Sequence, residues 1–78
     1  MSDLHIATIK KNQREEIRVV LSTFNGHRLF NARVWFEAED GQMRPGKAGI
    51  AFKLDKMEEF AEAVTTGLMQ AKAQGWMK

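Results

Sequence analysis

Arginine, lysine and aromatic side chains interleave along one short part of this chain. Phe24, Arg28, Phe30, Arg33, Trp35, Phe36, Arg44 and Lys47 fall within 24 residues. Cations in such a pattern follow a phosphate backbone, and flat rings stack on exposed bases at roughly 1–3 kcal/mol per base. Every base has a π face, so a surface of this kind holds single strands with little regard to sequence. The competing reading is that the rings are core and the cations only keep the surface soluble, which for any single Phe or Trp is the commoner case. The set favours binding. A chain of 78 residues has difficulty burying Phe24, Phe30, Trp35, Phe36, Phe52 and Phe60 together against one helix.

Other chemistries find little support. There is no cysteine, and the two histidines, His5 and His27, stand far apart. That leaves neither a thiol nucleophile nor the ligand set of a structural zinc site. No Ser/His/Asp set is brought together by the pattern. Glu37, Glu39 and Asp40 cluster, but beside a turn, where acidic residues are ordinary solvated choices. "GHRLFNAR" and "GQMRPGKAG" lack the spacing of a phosphate-binding G-x-x-x-x-G-K-[ST] loop. The glycines from Gly41 precede a strand and not a helix, so they are no dinucleotide fingerprint. The expectation is a protein that is not an enzyme and that has no cofactor and no metal.

The elements that must position these residues follow from periodicity and turn chemistry. "HIATIKK" is a short β-type run, and "NQRE" at 12–15 is turn-like. "EIRVVLSTF" at 16–24 alternates: Ile17, Val19 and Leu21 share one face, and Arg18, Val20, Ser22 and Phe24 share the other. Asn25-Gly26 marks a tight hairpin, because both residues tolerate the positive φ of a type I′ turn. "RLFNARVWFEA" at 28–38 is a third strand, "EDGQMRPG" a wider turn, and "KAGIAFKL" at 47–54 a fourth strand. The period then changes. Met57, Phe60, Ala61, Val64, Leu68 and Ala71 form one helical stripe. Asp55 is the expected N-cap, with Glu58 completing a box-like signature, and Gly75 is the expected stop. Short links between strands make the sheet an antiparallel meander.

The predicted fold class is therefore α+β: a four-stranded antiparallel sheet followed by one C-terminal helix, a single domain over 1–78 with fraying at 1–4 and 75–78. One helix covers one face of such a sheet, and the stripe is expected to do so. Trp76 is expected to pack at the helix end. A chain this short usually needs a staple. With disulfides excluded, a homodimer is the expectation, and Gly67 within the stripe would let a partner helix approach closely. The formal net charge is +2. It is unevenly placed: residues 1–53 carry nine Lys/Arg against six Asp/Glu, and residues 54–78 carry three against four. Any anion-binding surface belongs to the first two thirds. No apolar run reaches the roughly 20 residues of a membrane helix. "MSDLHIATIKK" lacks the basic start and apolar run of a signal peptide. A cytoplasmic, nucleoid-associated location is expected for a bacterial protein and a nuclear one for a eukaryotic protein.

The turn and fourth strand carry a more specific pattern, G-x-M-[basic]-P-G-[basic]-x-G-I, present as Gly41, Met43, Arg44, Pro45, Gly46, Lys47, Gly49 and Ile50. With "FNGHRLFNARVWF" and the helix after "KLD", it resembles the C-terminal domain of the transcriptional coactivator family called positive cofactor four. The likeness runs from about residue 15 to residue 70. It implies a strongly curved sheet, a homodimer assembled partly through the helices, and two channels that hold single-stranded DNA or unpaired duplex in opposite directions. It implies that Phe24 and Phe36 are the stacking rings, with Trp35 standing where another aromatic is common, so that either Trp35 or Phe36 stacks. It carries the family's basic positions onto Arg33, Arg44 and Lys47. Two departures stand out. Asn25 and His27 flank the hairpin turn where the family often has cations, and Ala48 replaces a second cation after Pro-Gly. Binding should be weaker, or redistributed onto Arg28 and the Lys10, Lys11, Arg14 cluster. No serine-rich regulatory region accompanies the domain, as in a compact bacterial or phage-type member.

The resulting expectation is a homodimeric, non-sequence-specific single-stranded DNA-binding protein of transcription, replication or repair. Its contact residues are Phe24, Arg28, Arg33, Trp35, Phe36, Arg44, Lys47, Lys11 and Arg14. Single-stranded RNA is the alternative ligand, and a protein-interaction module of the transcription machinery the alternative class.

Overall fold

The computed structural model describes residues 3–77. Four strands, β1 (Leu4–Lys10), β2 (Glu15–Phe24), β3 (His27–Glu37) and β4 (Met43–Lys53), form one antiparallel sheet in chain order. A short 3₁₀ turn (Leu54–Lys56) leads into a single helix, α1 (Met57–Ala73). The α+β meander expected from the periodicity is thus present. No helix among the described residues is long and apolar enough to cross a membrane.

The β2–β3 hairpin turns on Asn25 (φ 51°) and Gly26 (φ 77°), both left-handed, as a type I′ turn requires. A two-residue loop sets the register of everything behind it. Phe24 faces His27, Arg18 faces Arg33 and Glu16 faces Trp35. The β1–β2 turn is held by the Asn12 side chain, whose Oδ1 accepts from the Arg14 and Glu15 amides at 3.0 and 2.9 Å. The β3–β4 turn closes earlier than the sequence suggested. The Ala38 amide donates to the Gln42 carbonyl at 2.8 Å, with Gly41 at φ 84°. Pro45 and Gly46 therefore lie inside β4 and not in a turn. Proline is tolerated there because β4 is an edge strand, where a missing amide costs no ladder bond.

Two irregularities interrupt the ladders. Ile6 is an extra residue in β1, since His5 and Ala7 pair with the consecutive Val20 and Val19. In β4, Gly46, Lys47 and Ala48 stand opposite Val34 alone. Such bulges bend a strand and increase its twist.

The two faces of the sheet differ sharply. Leu4, Ile9, Ile17, Val19, Leu21, Phe30, Val34, Ile50 and Phe52 share one face by pairing register. On it Phe30 and Phe52 stack at 5.1 Å, and Phe60 of α1 joins them, 5.2 Å from Phe52. Only this start of the helix reaches the sheet. Val64 is 56% exposed, and Leu68 and Met69 are also exposed. The expectation that the stripe covers the sheet holds at its start, through Phe60, and fails at Val64 and Leu68. Phe60 is the α1 ring that meets Phe30 and Phe52, and the apolar Val64, Leu68 and Met69 further along the helix are left exposed. No described residue is buried.

The helix ends also depart in part from expectation. Asp55 sits in the 3₁₀ turn, and the N-cap is Lys56, with no side-chain cap. Glu58 and Glu59 still place negative charge on the first turn, where the helix dipole favours it. Gly75 stops the helix as predicted. At φ 78° its amide donates to the Lys72 carbonyl, while the Trp76 amide reaches back to Ala71 at 2.8 Å, a Schellman arrangement. Trp76 itself is 79% exposed and does not pack on the helix end. Of the ends expected to fray, residues 1, 2 and 78 lie outside the described residues, whereas Leu4 already belongs to β1.

Candidate nucleic-acid interface

The face of the sheet away from Phe60 is built from the other strand parity. It carries Glu16, Arg18, Val20, Ser22 and Phe24 from β2 and His27, Leu29, Asn31, Arg33 and Trp35 from β3. A shallow open depression of about 260 Å³ lies in its middle, lined among others by Asp3, Arg18, Asn31, Arg33, Trp35 and Pro45.

Arg33, Arg18 and Asn31 are each held by a neighbour. Arg33 donates from Nη1 to the Gly46 carbonyl at 3.0 Å. The β4 bulge thus steers the arginine. Glycine is needed in and beside that bulge for a steric reason: a Cβ on Gly46 would sit 2.9 Å from the Val34 carbonyl oxygen, and one on Gly49, which pairs with Arg33, 2.8 Å from that of Ala32. Arg18 donates from Nε to Glu16 at 2.6 Å, and its guanidinium lies 4.0 Å from the centre of the Trp35 ring. Asn31 donates to the Ser22 hydroxyl at 3.1 Å. At the hairpin end Phe24 stands 65% exposed, with no aromatic neighbour among the described residues.

The structure brings together Phe24, Arg33 and Trp35 on this face. It separates the others. Arg28, opposite Thr23, lies on the apolar parity and lines a small groove with Leu4, Leu21 and Leu54. Phe36 and Arg44 are cross-strand partners on that same opposite parity. Phe36 rests against Gly46, and Arg44 is paired to Asp40 at 2.6 Å. Lys47 is exposed in the bulge. Lys11 and Arg14 belong to the β1–β2 turn, where Lys11 pairs with Glu15 at 3.2 Å. The Glu15 carboxyl is held below its ordinary 4.5 by the hydrogen bond from Asn12 and then by Lys11.

Arg18 is the residue that sequence reasoning left out. Its signal was available, because strand parity already put it on the face of Ser22 and Phe24. The two-residue hairpin then places it opposite Arg33.

A helix-free sheet face with two cross-strand arginines, an indole and an exposed ring is an arrangement suited to single-stranded nucleic acid, in a small α+β module. The chain belongs to the family described as Transcriptional Coactivator p15 (PC4), whose model matches residues 11–63. Among solved structures it is similar to a bacteriophage T5 homologue of the coactivator PC4 (TM-score 0.74, 23% identity, covering 92% of this chain and 83% of that one). It is also similar to a PC4 homologue from Burkholderia pseudomallei (TM-score 0.69, 25% identity, 91% and 90% covered). A third, MoSub1 in complex with DNA, aligns with TM-score 0.63 at 28% identity, covering 88% and 84%. Curated protein sequences give no significant match.

Proposed function

We propose that this chain is a non-catalytic, homodimeric protein that holds single-stranded DNA without sequence preference during transcription, replication or repair. The observation that carries the reading is the continuous track from Phe24 to Trp35 on the helix-free face. At about 3.3 Å per strand residue, the eight steps from the residue facing Phe24 to Trp35 span about 26 Å, long enough for several nucleotides. The DNA complex of MoSub1 supports DNA as the ligand. In the proposed complex Phe24 stacks on a base, the Trp35 site holds another, and Arg33 and Lys47 neutralise phosphates. Arg28, Phe36, Arg44, Lys11 and Arg14 contribute where the strand passes around the ends of the sheet.

The dimer is supported by what the single chain leaves uncovered. An open groove of about 330 Å³ runs between sheet and helix, lined by Phe30, Phe52, Met57, Phe60, Ala61, Val64 and Thr65. A chain of 78 residues that keeps such a surface in water has little left to stabilise it.

Titration at low salt with oligo-dT, oligo-rU and duplex DNA tests the ligand. Tight oligo-dT binding with weak duplex binding is expected, and log affinity should fall with log salt by roughly 0.7 per phosphate neutralised. Preference for oligo-rU would move the assignment to RNA. Binding to none of the three would leave a protein-interaction module. Sedimentation with and without oligo-dT tests the dimer, and a monomer in both runs would refute it.

A further inference from the structure

Arg18 has no part in the proposed contacts so far, yet it lies on the track, one same-face step from its Trp35 end. Three constraints act on it. Its Nε is bonded to Glu16 at 2.6 Å, its guanidinium lies over Trp35 at 4.0 Å from the ring centre, and its side chain remains 29% exposed. A guanidinium held on an indole and clamped at Nε presents its outer face and its terminal nitrogens to the depression. Planar guanidinium groups stack on rings and on bases alike. Arg18 also stands directly opposite Arg33. Like charges directly opposite on neighbouring strands are destabilising, and Glu16 is ion-paired with only one of the two.

We propose that Arg18, and not the Trp35 ring, is the stacking surface at the Trp35 end of the track. One nucleotide of a single strand places its base on the outer face of the guanidinium and its phosphate between Arg18 and Arg33. Trp35 acts as the pedestal, and Glu16 sets the orientation. The ligand is a nucleotide unit of any base, since a guanidinium plane is as tolerant as an aromatic one. The inference rests on the single-strand reading above.

The test compares wild type and Arg18→Lys on oligo-dT and on an abasic oligonucleotide of equal length. Lysine keeps the charge and loses the plane. The expected result is a loss of about tenfold on oligo-dT, the scale of one lost stacking partner, with no loss on the abasic strand and the same salt slope. Equal losses on both strands, or none on either, would overturn the proposal. A second measurement leaves Arg18 in place. In Trp76→Phe protein the remaining indole is Trp35, and it should keep most of its emission when oligo-dT binds, because the guanidinium still caps it. Strong quenching by oligo-dT that the abasic strand does not reproduce would mean that the base displaces Arg18 and stacks on Trp35 directly. Wild type that binds neither strand would sink the single-strand reading itself, a result distinct from a wild type that binds both while Arg18→Lys matches it.

Discussion

At the scale of single residues, exposure separates the proposed stacking ring from the rings that pack together. Phe24 is 65% exposed, while Phe30, Phe52 and Phe60 pack on one another. Phe24→Ala should weaken oligo-dT binding by about 1–3 kcal/mol with an unchanged melting midpoint; a collapse of the fold with undiminished affinity would make Phe24 core. Gly49→Ala should do the reverse. Its Cβ would meet the backbone of Ala32 and Arg33, neither of which can yield, and overpacking of that kind costs roughly 1–3 kcal/mol. Urea denaturation reads the loss, and an unchanged midpoint would contradict the close approach. Much of this level was legible in the sequence. The Asn25-Gly26 turn implies the pairing of Phe24 with His27, from which Arg18 opposite Arg33 follows by counting. The same counting separates Phe36 from Phe24, which a likeness to a family pattern does not reveal. The bulge was not legible, because its extra residues are defined only against Val34 of the neighbouring strand.

At the scale of elements, the β1–β2 turn is an electrostatic unit. Glu15 accepts from Asn12 at 2.7 Å and pairs with Lys11. Its folded pKa is lowered, so its contribution is present above the unfolded value near 4.5 and is lost as pH falls through the lowered value. Carboxyl NMR titration should find Glu15 below 4.5, and Asn12→Ala should move it upward; no movement would remove Asn12 as the main cause. The helix offers a second test. Gly67 lies on the apolar stripe, and nothing within 4 Å would meet a Cβ there. Within one chain, Gly67→Ala should favour the helix by about 1 kcal/mol. In the proposed dimer a partner backbone lies against it, so the expected outcome is more helix by circular dichroism and weaker association by sedimentation. Stronger association would place the seam elsewhere. The helix itself was legible from its period. Its direction was not, since a stripe tells that a face is apolar and not what it meets.

At the scale of the whole molecule, the single chain folds around two apolar rows that no described residue fully covers. Val64→Glu should therefore dissociate the proposed dimer and lower the melting midpoint, and the midpoint of the unaltered protein should rise with concentration. A midpoint independent of concentration would argue against an obligate pair. So many uncovered apolar side chains on one thin sheet would ordinarily invite open-ended growth, with one sheet adding its outer strand to the next. Both outer strands resist that. β1 is broken by the unpaired Ile6, and β4 by the bulge and by Pro45, which has no amide to offer. Interrupted edges are poor templates for a further strand. The same irregularities that shape the interface thus make strand addition at either edge unfavourable, which leaves face-to-face contact for the two copies of the proposed dimer.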